Sequence, residues 1–223
     1  MASHRASAAT SLSRRRLGQA AIASALASVT GCSKEPDINR VLKLAEAAAG
    51  VRIGATDKPL AGRVFFDPLC AVCARLWESC KPLSPHMGII WHPVGTSEQT
   101  VPLAAGRLEQ QDVGAAFEEI HAMAQAGVPW QYAWLEKAKQ QAGERWAGKV
   151  EAVRKTSNRL LELGVEGVPL IIRVGTDRLP PAMRIGTAPP EYVAEFLGRP
   201  LPSVGDAGGA GPKSSSPASG TTA

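Results

Sequence analysis

Cys70 and Cys73 are separated by two residues and stand where an apolar run meets a helix start, and no other feature restricts so tightly what this chain can fold into. Upstream, Arg63-Val64-Phe65-Phe66 is short and rich in strand formers. Asp67-Pro68 then supplies a turn and a helix-start signal, because proline fits the first turn of a helix, where its missing N–H is not needed. Downstream, Leu76 and Trp77 continue a helical pattern that ends before Pro82, and Gly88-Ile89-Ile90-Trp91 reads as a second buried strand. The local order is β-α-β, with the two cysteines opening the helix.

That placement has chemical consequences. A C-x-x-C pair in the first turn brings two sulfurs within disulfide reach and sets the first beside backbone N–H groups that lack helical partners, at the positive end of the helix dipole. These groups favour thiolate over thiol, so Cys70 is the candidate nucleophile. Cys73, one turn further in, is the candidate resolving thiol, able to attack a mixed disulfide formed at Cys70. Zinc is the first alternative. Cys80 and the four histidines, His4, His86, His92 and His121, supply no second pair at zinc-site spacing, so no metal site is assigned. An inert structural disulfide is the second alternative, although it gains nothing from a helix N-terminus.

The rest of the chain frames this centre. With 223 residues, 44% of them hydrophobic and 20% charged, it has material for one core plus appendages. The formal charge of +5 includes Arg5, Arg14, Arg15 and Arg16; without those four it falls to about +1, too little for a nucleic-acid footprint. Those arginines belong to an N-terminal pattern. Ser13-Arg14-Arg15-Arg16-Leu17 precedes a mild apolar run from Ala20 to Val29, much shorter than the ~20 residues a spanning helix needs. Residues 1–31 are therefore read as an export signal. The paired arginines resemble a twin-arginine signal. Val29-Thr30-Gly31-Cys32 resembles the lipobox of bacterial lipoproteins, which implies a lipid on Cys32 that anchors the mature protein to a membrane facing the periplasm. Simple cleavage near Ala27 or Gly31, leaving a soluble periplasmic protein, is the alternative.

Residues 32–62 read as a tether and a short helix, capped by Asp37 and running through Val41, Leu42, Leu44 and Ala45 to Ala49, followed by a polar link. Residues 63–200 form the candidate catalytic domain. Within it, residues 98–164 are helical in period: Ala115, Ala116, Ile120 and Met123 share a face, Gly127-Val128-Pro129 breaks the pattern, and further stretches cover Trp134 to Ala147 and Val150 to Leu163. Leu170 to Val174 and Met183 to Ile185 read as strands around a Gly175-Thr176-Asp177 turn, and Pro190 to Leu197 reads as a closing helix. The segment 201–223, rich in Gly, Ser and Pro, reads as a disordered tail.

The run from Val64 to Trp77 resembles the catalytic domain of the periplasmic disulfide isomerases DsbC and DsbG, most of all the G type, which also carries Asp-Pro before the motif and an aromatic at the Trp77 position. A second signature is Gly167-Val168-Pro169-Leu170-Ile171, where thioredoxin-like proteins place a cis-proline facing the disulfide. The resemblance extends from about Val64 to Leu197 and implies an α/β, thioredoxin-like fold. Its helical insertion would lie between an N-terminal βαβ part and a C-terminal ββα part. It also implies thiol–disulfide interchange on exported proteins, a redox disulfide between Cys70 and Cys73, and no bound cofactor. Val168 and Pro169 would then bind the substrate strand, and a membrane thiol–disulfide donor or acceptor would be the redox partner.

Departures qualify what carries over. The C and G types have threonine before the proline, whereas Val168 matches the oxidant DsbA type, so the redox direction stays open. Thioredoxins and the DsbA type have a buried acid six positions before the first cysteine, where this chain has Val64. Ala71-Val72 holds neither His nor Pro, which points to a less extreme thiol than that of the DsbA type. Only about thirty residues separate Cys32 from the catalytic strand, too few for the dimerisation domain of the isomerases, so a monomer is expected. A rival of another class is a periplasmic metallochaperone holding Cu(I) between Cys70 and Cys73. Cys80 is read as a bystander thiol, the histidines as structural, and Trp77, on the active-site helix, as a candidate for lining a peptide groove.

Overall fold

The structure, a computed structural model, describes residues 35–54, 56–111, 113–115, 117–118, 136, 138–140, 145–199 and 201. Helix α1 (Ile38–Ala47) starts at Asp37, whose carboxylate accepts the N–H groups of Asn39 and Arg40 and so satisfies donors the first turn leaves open. Strand β1 (Val51–Ile53) follows where the sequence reads only as a polar link. Three residues bounded by Gly, Asp and Lys give too little periodicity to register. Then come β2 (Leu60–Phe66), α2 (Ala71–Cys80), a 3-10 turn (Lys81–Leu83), β3 (Gly88–Pro93) and α3 (Val101–Gln110). Helix α4 (Ala147–Glu162), strands β4 (Leu170–Arg173) and β5 (Ala182–Ile185) and helix α5 (Pro190–Phe196) complete the described elements.

Several sequence expectations lie outside the described residues: the export signal, Cys32, the tail from 202, and the stretch holding Ala116, Ile120, Met123, Gly127-Val128-Pro129 and Trp134. The two ends of the expected insertion are described, and both α3 and α4 are helical.

The five strands lie in the order β1-β3-β2-β4-β5. Strand β2 is parallel to β3 and antiparallel to β4, β5 is antiparallel to β4, and β1 adds an antiparallel edge to β3. The set β3-β2-β4-β5, with α2 crossing between the parallel pair and α5 following the hairpin, is the thioredoxin-like arrangement. Successive residues of β2 serve opposite faces. Val64 and Phe66 join a core with Leu76, Trp77, Trp91 and Leu197, while Phe65 joins another with Val41, Ala45, Leu160, Leu170 and Ile172. Burial on both faces is why β2 and β4 read as continuous apolar runs rather than alternating ones. Trp77 lies edge-on to Trp91, with ring centroids 5.3 Å apart, and is 7% exposed. It is a core residue, not part of a groove.

One polar cluster is buried beneath α1. The Nη1 of Arg63 donates to Ala45 O at 2.8 Å, and His92 Nδ1 lies 3.0 Å from Ala49 O. His92 Nε2 is 3.4 Å from Arg63 Nη1. A neutral ring with its proton on Nδ1 satisfies both contacts, donating to the carbonyl and accepting from the guanidinium. Burial first, then the charge of Arg63, push His92 down from its ordinary 6.5 to about 4, against the opposing pull of the Ala49 and Ala48 carbonyls. Between those two pH values the unfolded chain binds a proton that the folded chain refuses. Stability therefore falls as pH drops through this window, by about 3 kcal/mol at its lower end. Urea unfolding at pH 7 and at pH 4 should show this loss, and His92→Gln should remove it; an equal loss in the variant would place its origin elsewhere.

Candidate active site

The sheet register gathers the chemistry at one end. In the antiparallel β2–β4 pair Phe65 lies opposite Leu170, so continuing the ladder by two residues sets Val168 beside Asp67. On the other side, parallel β3 leaves the sheet at Pro93, and Val94 N–H donates to Phe66 O at 2.9 Å. Three loops thus converge: the one before α2, the one after β3, and the one before β4. The last is aimed by the end of α4. Gly164, at φ +81°, takes the left-handed conformation, with Gly164 N–H bonding to Leu161 O and Val165 N–H to Leu160 O. This closes a Schellman motif and turns the chain toward Val168. The Val168–Pro169 bond is cis.

Cys70 is the N-cap of α2, at φ −80° and ψ 114°, and its sulfur accepts the Cys73 N–H at 3.3 Å. It takes the place usually held by a serine or aspartate oxygen, and a thiolate serves better there than a thiol. The Cys70 sulfur also lies 3.7 Å from Val168 O. The hydrogen bond from the Cys73 side chain, supported by the N–H groups of Cys73 and Val72, pulls Cys70 down to about 6, against burial and the charge of Asp67. Cys73 is fully buried. Burial, and then its hydrogen bond to Cys70 and the charge there, drive its thiol far above the ordinary range. The pair thus holds one proton between unequal sites: Cys70 half-exposed and ionised, Cys73 enclosed and protonated. Both cysteines, with Val168 and Pro169, occupy one site.

Asp67 is the residue that sequence reading places only in a turn. It is 1% exposed, and its Oδ1 accepts Leu69 N–H at 2.8 Å. Its Oδ2 accepts Thr96 N–H at 2.8 Å, the Thr96 hydroxyl at 2.7 Å and the Thr100 hydroxyl at 2.8 Å. An aspartate before proline is common turn chemistry. Its partners lie about thirty residues away, so only the fold exposes this second role. Cys80 is also buried, and burial pushes its thiol up to about 12. Beside Val168 is a hollow of about 120 Å³ between the loop after β3, α4 and the loop before β4, with Leu161 exposed on its rim. Among the described residues no group of three or more His, Cys, Asp or Glu side chains is placed to hold a metal ion. No helix of the described residues is long and apolar enough to cross a membrane.

No family model matches the chain, and no curated protein matches it. Several solved structures do. The catalytic domain of Proteus mirabilis ScsC is 14% identical with a TM-score of 0.47, over 72% of this chain and 96% of that one. A periplasmic thioredoxin-like protein from Salmonella enterica serovar Typhimurium is 19% identical with a TM-score of 0.45, over 72% and 95%. The thiol–disulfide exchange protein alpha-DsbA2 from Wolbachia pipientis is 15% identical with a TM-score of 0.49, over 72% and 92%. These are likenesses of shape, too distant to assign chemistry.

The unequal thiols give a direct test. Reduced protein treated briefly with iodoacetamide should be labelled at Cys70, with a rate that rises through a midpoint near pH 6, while Cys73 and Cys80 stay unlabelled at pH 7. A midpoint in the ordinary range near ~8.5 would contradict the capped-thiolate geometry.

Proposed function

We propose that this protein is a thiol–disulfide oxidoreductase acting on cysteines of exported proteins, in the manner of the DsbG and DsbC isomerases. The observation that supports this best is the half-exposed Cys70 sulfur capping α2 beside Val168, with Cys73 buried one turn further in. Such an arrangement offers one sulfur to a partner and keeps the second for release.

The Cys70 thiolate attacks one sulfur of a substrate disulfide, forming a mixed disulfide and expelling the other substrate sulfur as a thiolate. Cys73 then passes its proton, directly or through water, to the expelled substrate thiolate and attacks the Cys70 sulfur. The second substrate thiol departs, and a Cys70–Cys73 disulfide remains. Two electrons have passed to the substrate, and a membrane thiol donor restores the dithiol. When the mixed disulfide is instead resolved by another substrate cysteine, the result is isomerisation and Cys70 leaves unchanged. Val168 and Pro169 hold the extended substrate chain by backbone pairing. The catalytic domain, with α1 and β1 packed into it, acts as a monomer, and residues 1–31 direct export. A lipid on Cys32 holds the domain at a membrane facing the periplasm. Val168 before the proline favours a second direction, a DsbA-like oxidase, in which the same steps run in reverse and an oxidising membrane partner recharges the pair.

Trapping tests the reaction. Cys73→Ser, exported to a bacterial periplasm and quenched with N-ethylmaleimide, should accumulate mixed disulfides that vanish on reduction and are lost in Cys70→Ser/Cys73→Ser. Their absence would sink the redox reading, and tight stoichiometric Cu(I) binding that shields both thiols would instead establish a metallochaperone. The resting state of the pair in cells distinguishes directions, reduced for isomerase or reductase and oxidised for oxidase. Metabolic labelling with palmitate should mark the parent protein and fail in Cys32→Ala; equal labelling of the variant would refute the anchor.

A further inference from the structure

The buried carboxylate of Asp67 plays no part in the steps above, yet it stands three residues before the nucleophile. All four of its hydrogen bonds are ones it accepts, from Leu69 N–H, Thr96 N–H and the hydroxyls of Thr96 and Thr100. Backbone N–H groups donate to both of its oxygens, Leu69 N–H to Oδ1 and Thr96 N–H to Oδ2, as suits a carboxylate. With the two threonine hydroxyls also at Oδ2, the group is held in one place. A buried charge of this kind is poorly screened, and it acts on both sulfurs of the pair.

We propose that Asp67 is a positioning residue that sets the redox balance of the cysteine pair: its fixed negative charge disfavours the Cys70 thiolate and so shifts the pair toward the disulfide. The inference rests on reading Cys70 and Cys73 as a redox couple. Among the described residues, the titratable groups acting on Cys70 are Cys73 and Asp67, and Asp67 opposes ionisation at both sulfurs. The backbone N–H groups of α2 stabilise the thiolate and thereby the dithiol. Asp67 works against them. The relevant equilibrium is dithiol plus glutathione disulfide giving the Cys70–Cys73 disulfide plus two glutathione thiols, a transfer of two electrons and two protons. Whatever destabilises the thiolate destabilises the reduced side. The same residue closes the turn into α2 through Leu69 N–H and ties it to the N-cap of α3 at Thr100, so charge and sulfur are kept in constant relation.

The test replaces the charge and keeps the turn. Asp67→Asn is the near-isostere; Asp67→Ser, a neutral turn former, serves where the asparagine amide would oppose the Thr96 N–H. In each purified variant, thiolate absorbance at 240 nm should titrate at lower pH than in the parent, and equilibration with glutathione should move about threefold toward the dithiol. Thr100→Val loosens the same clamp without removing the charge and should not lower the titration midpoint. An unchanged or higher midpoint in both Asp67 variants would overturn the proposal, as would a downward shift in Thr100→Val equal to theirs. These readings use no protein substrate. A shifted titration with no mixed disulfides in the Cys73→Ser trap would leave the charge effect standing and remove only the proposed function.

Discussion

The pairing of β2 on both sides is the constraint on which the rest of the structure depends. With β3 parallel and β4 antiparallel, the C-terminal end of β2 meets the exit of one neighbour and the start of the other. A slip of one residue between β2 and β4 would separate Asp67 from Val168 and exchange Phe65 with its neighbours between the two cores, exposing each core to the wrong side chains. Register is therefore fixed by packing on both faces at once, and the reactive end inherits that precision without needing strong contacts of its own.

Much of this was legible in the residues. The strand, turn and helix around Cys70 followed from Phe65-Phe66, Asp67-Pro68 and the helical period through Trp77, because apolar burial and proline geometry act locally. The boundaries of α4 and α5 differ from their sequence readings by no more than a few residues. The omissions have physical reasons. Strand β1 is recruited by the edge of β3, a tertiary partner that no three-residue pattern announces. His92 reads as structural without indicating that it bonds to Ala49 O just past α1, while Arg63 donates to Ala45 O in its last turn. Asp67 had an adequate local explanation, and that concealed its contacts with Thr96 and Thr100. A residue satisfied by its neighbours in sequence is the kind most readily passed over when its second partner is distant.

The two polar clusters of the core divide labour. Arg63 and His92 sit beneath α1 and exist in their present form only while the imidazole is neutral, so they tie stability to mildly acidic pH. Asp67 follows the C-terminal end of β2, where it ties the turn into α2 to Thr96 and Thr100. One strand thus carries a structural polar site and leads into the chemical one.

The burial of Cys80 has a consequence for oxidative damage. Cys73 and Cys80 are seven residues apart on α2, which sets their backbones about 10 Å apart along the helix axis, beyond the ~7 Å that a disulfide can span. These two thiols cannot pair with each other while α2 is intact. Among the described cysteines, Cys70 is the one within reach of peroxide, and the sulfenic acid formed there lies next to a thiol that can condense with it, releasing water and leaving the ordinary disulfide. The enclosed position of Cys73 thus acts as a fuse that resets, returning the sulfenic acid to the working cycle before it can go on to the irreversible sulfinic and sulfonic acids.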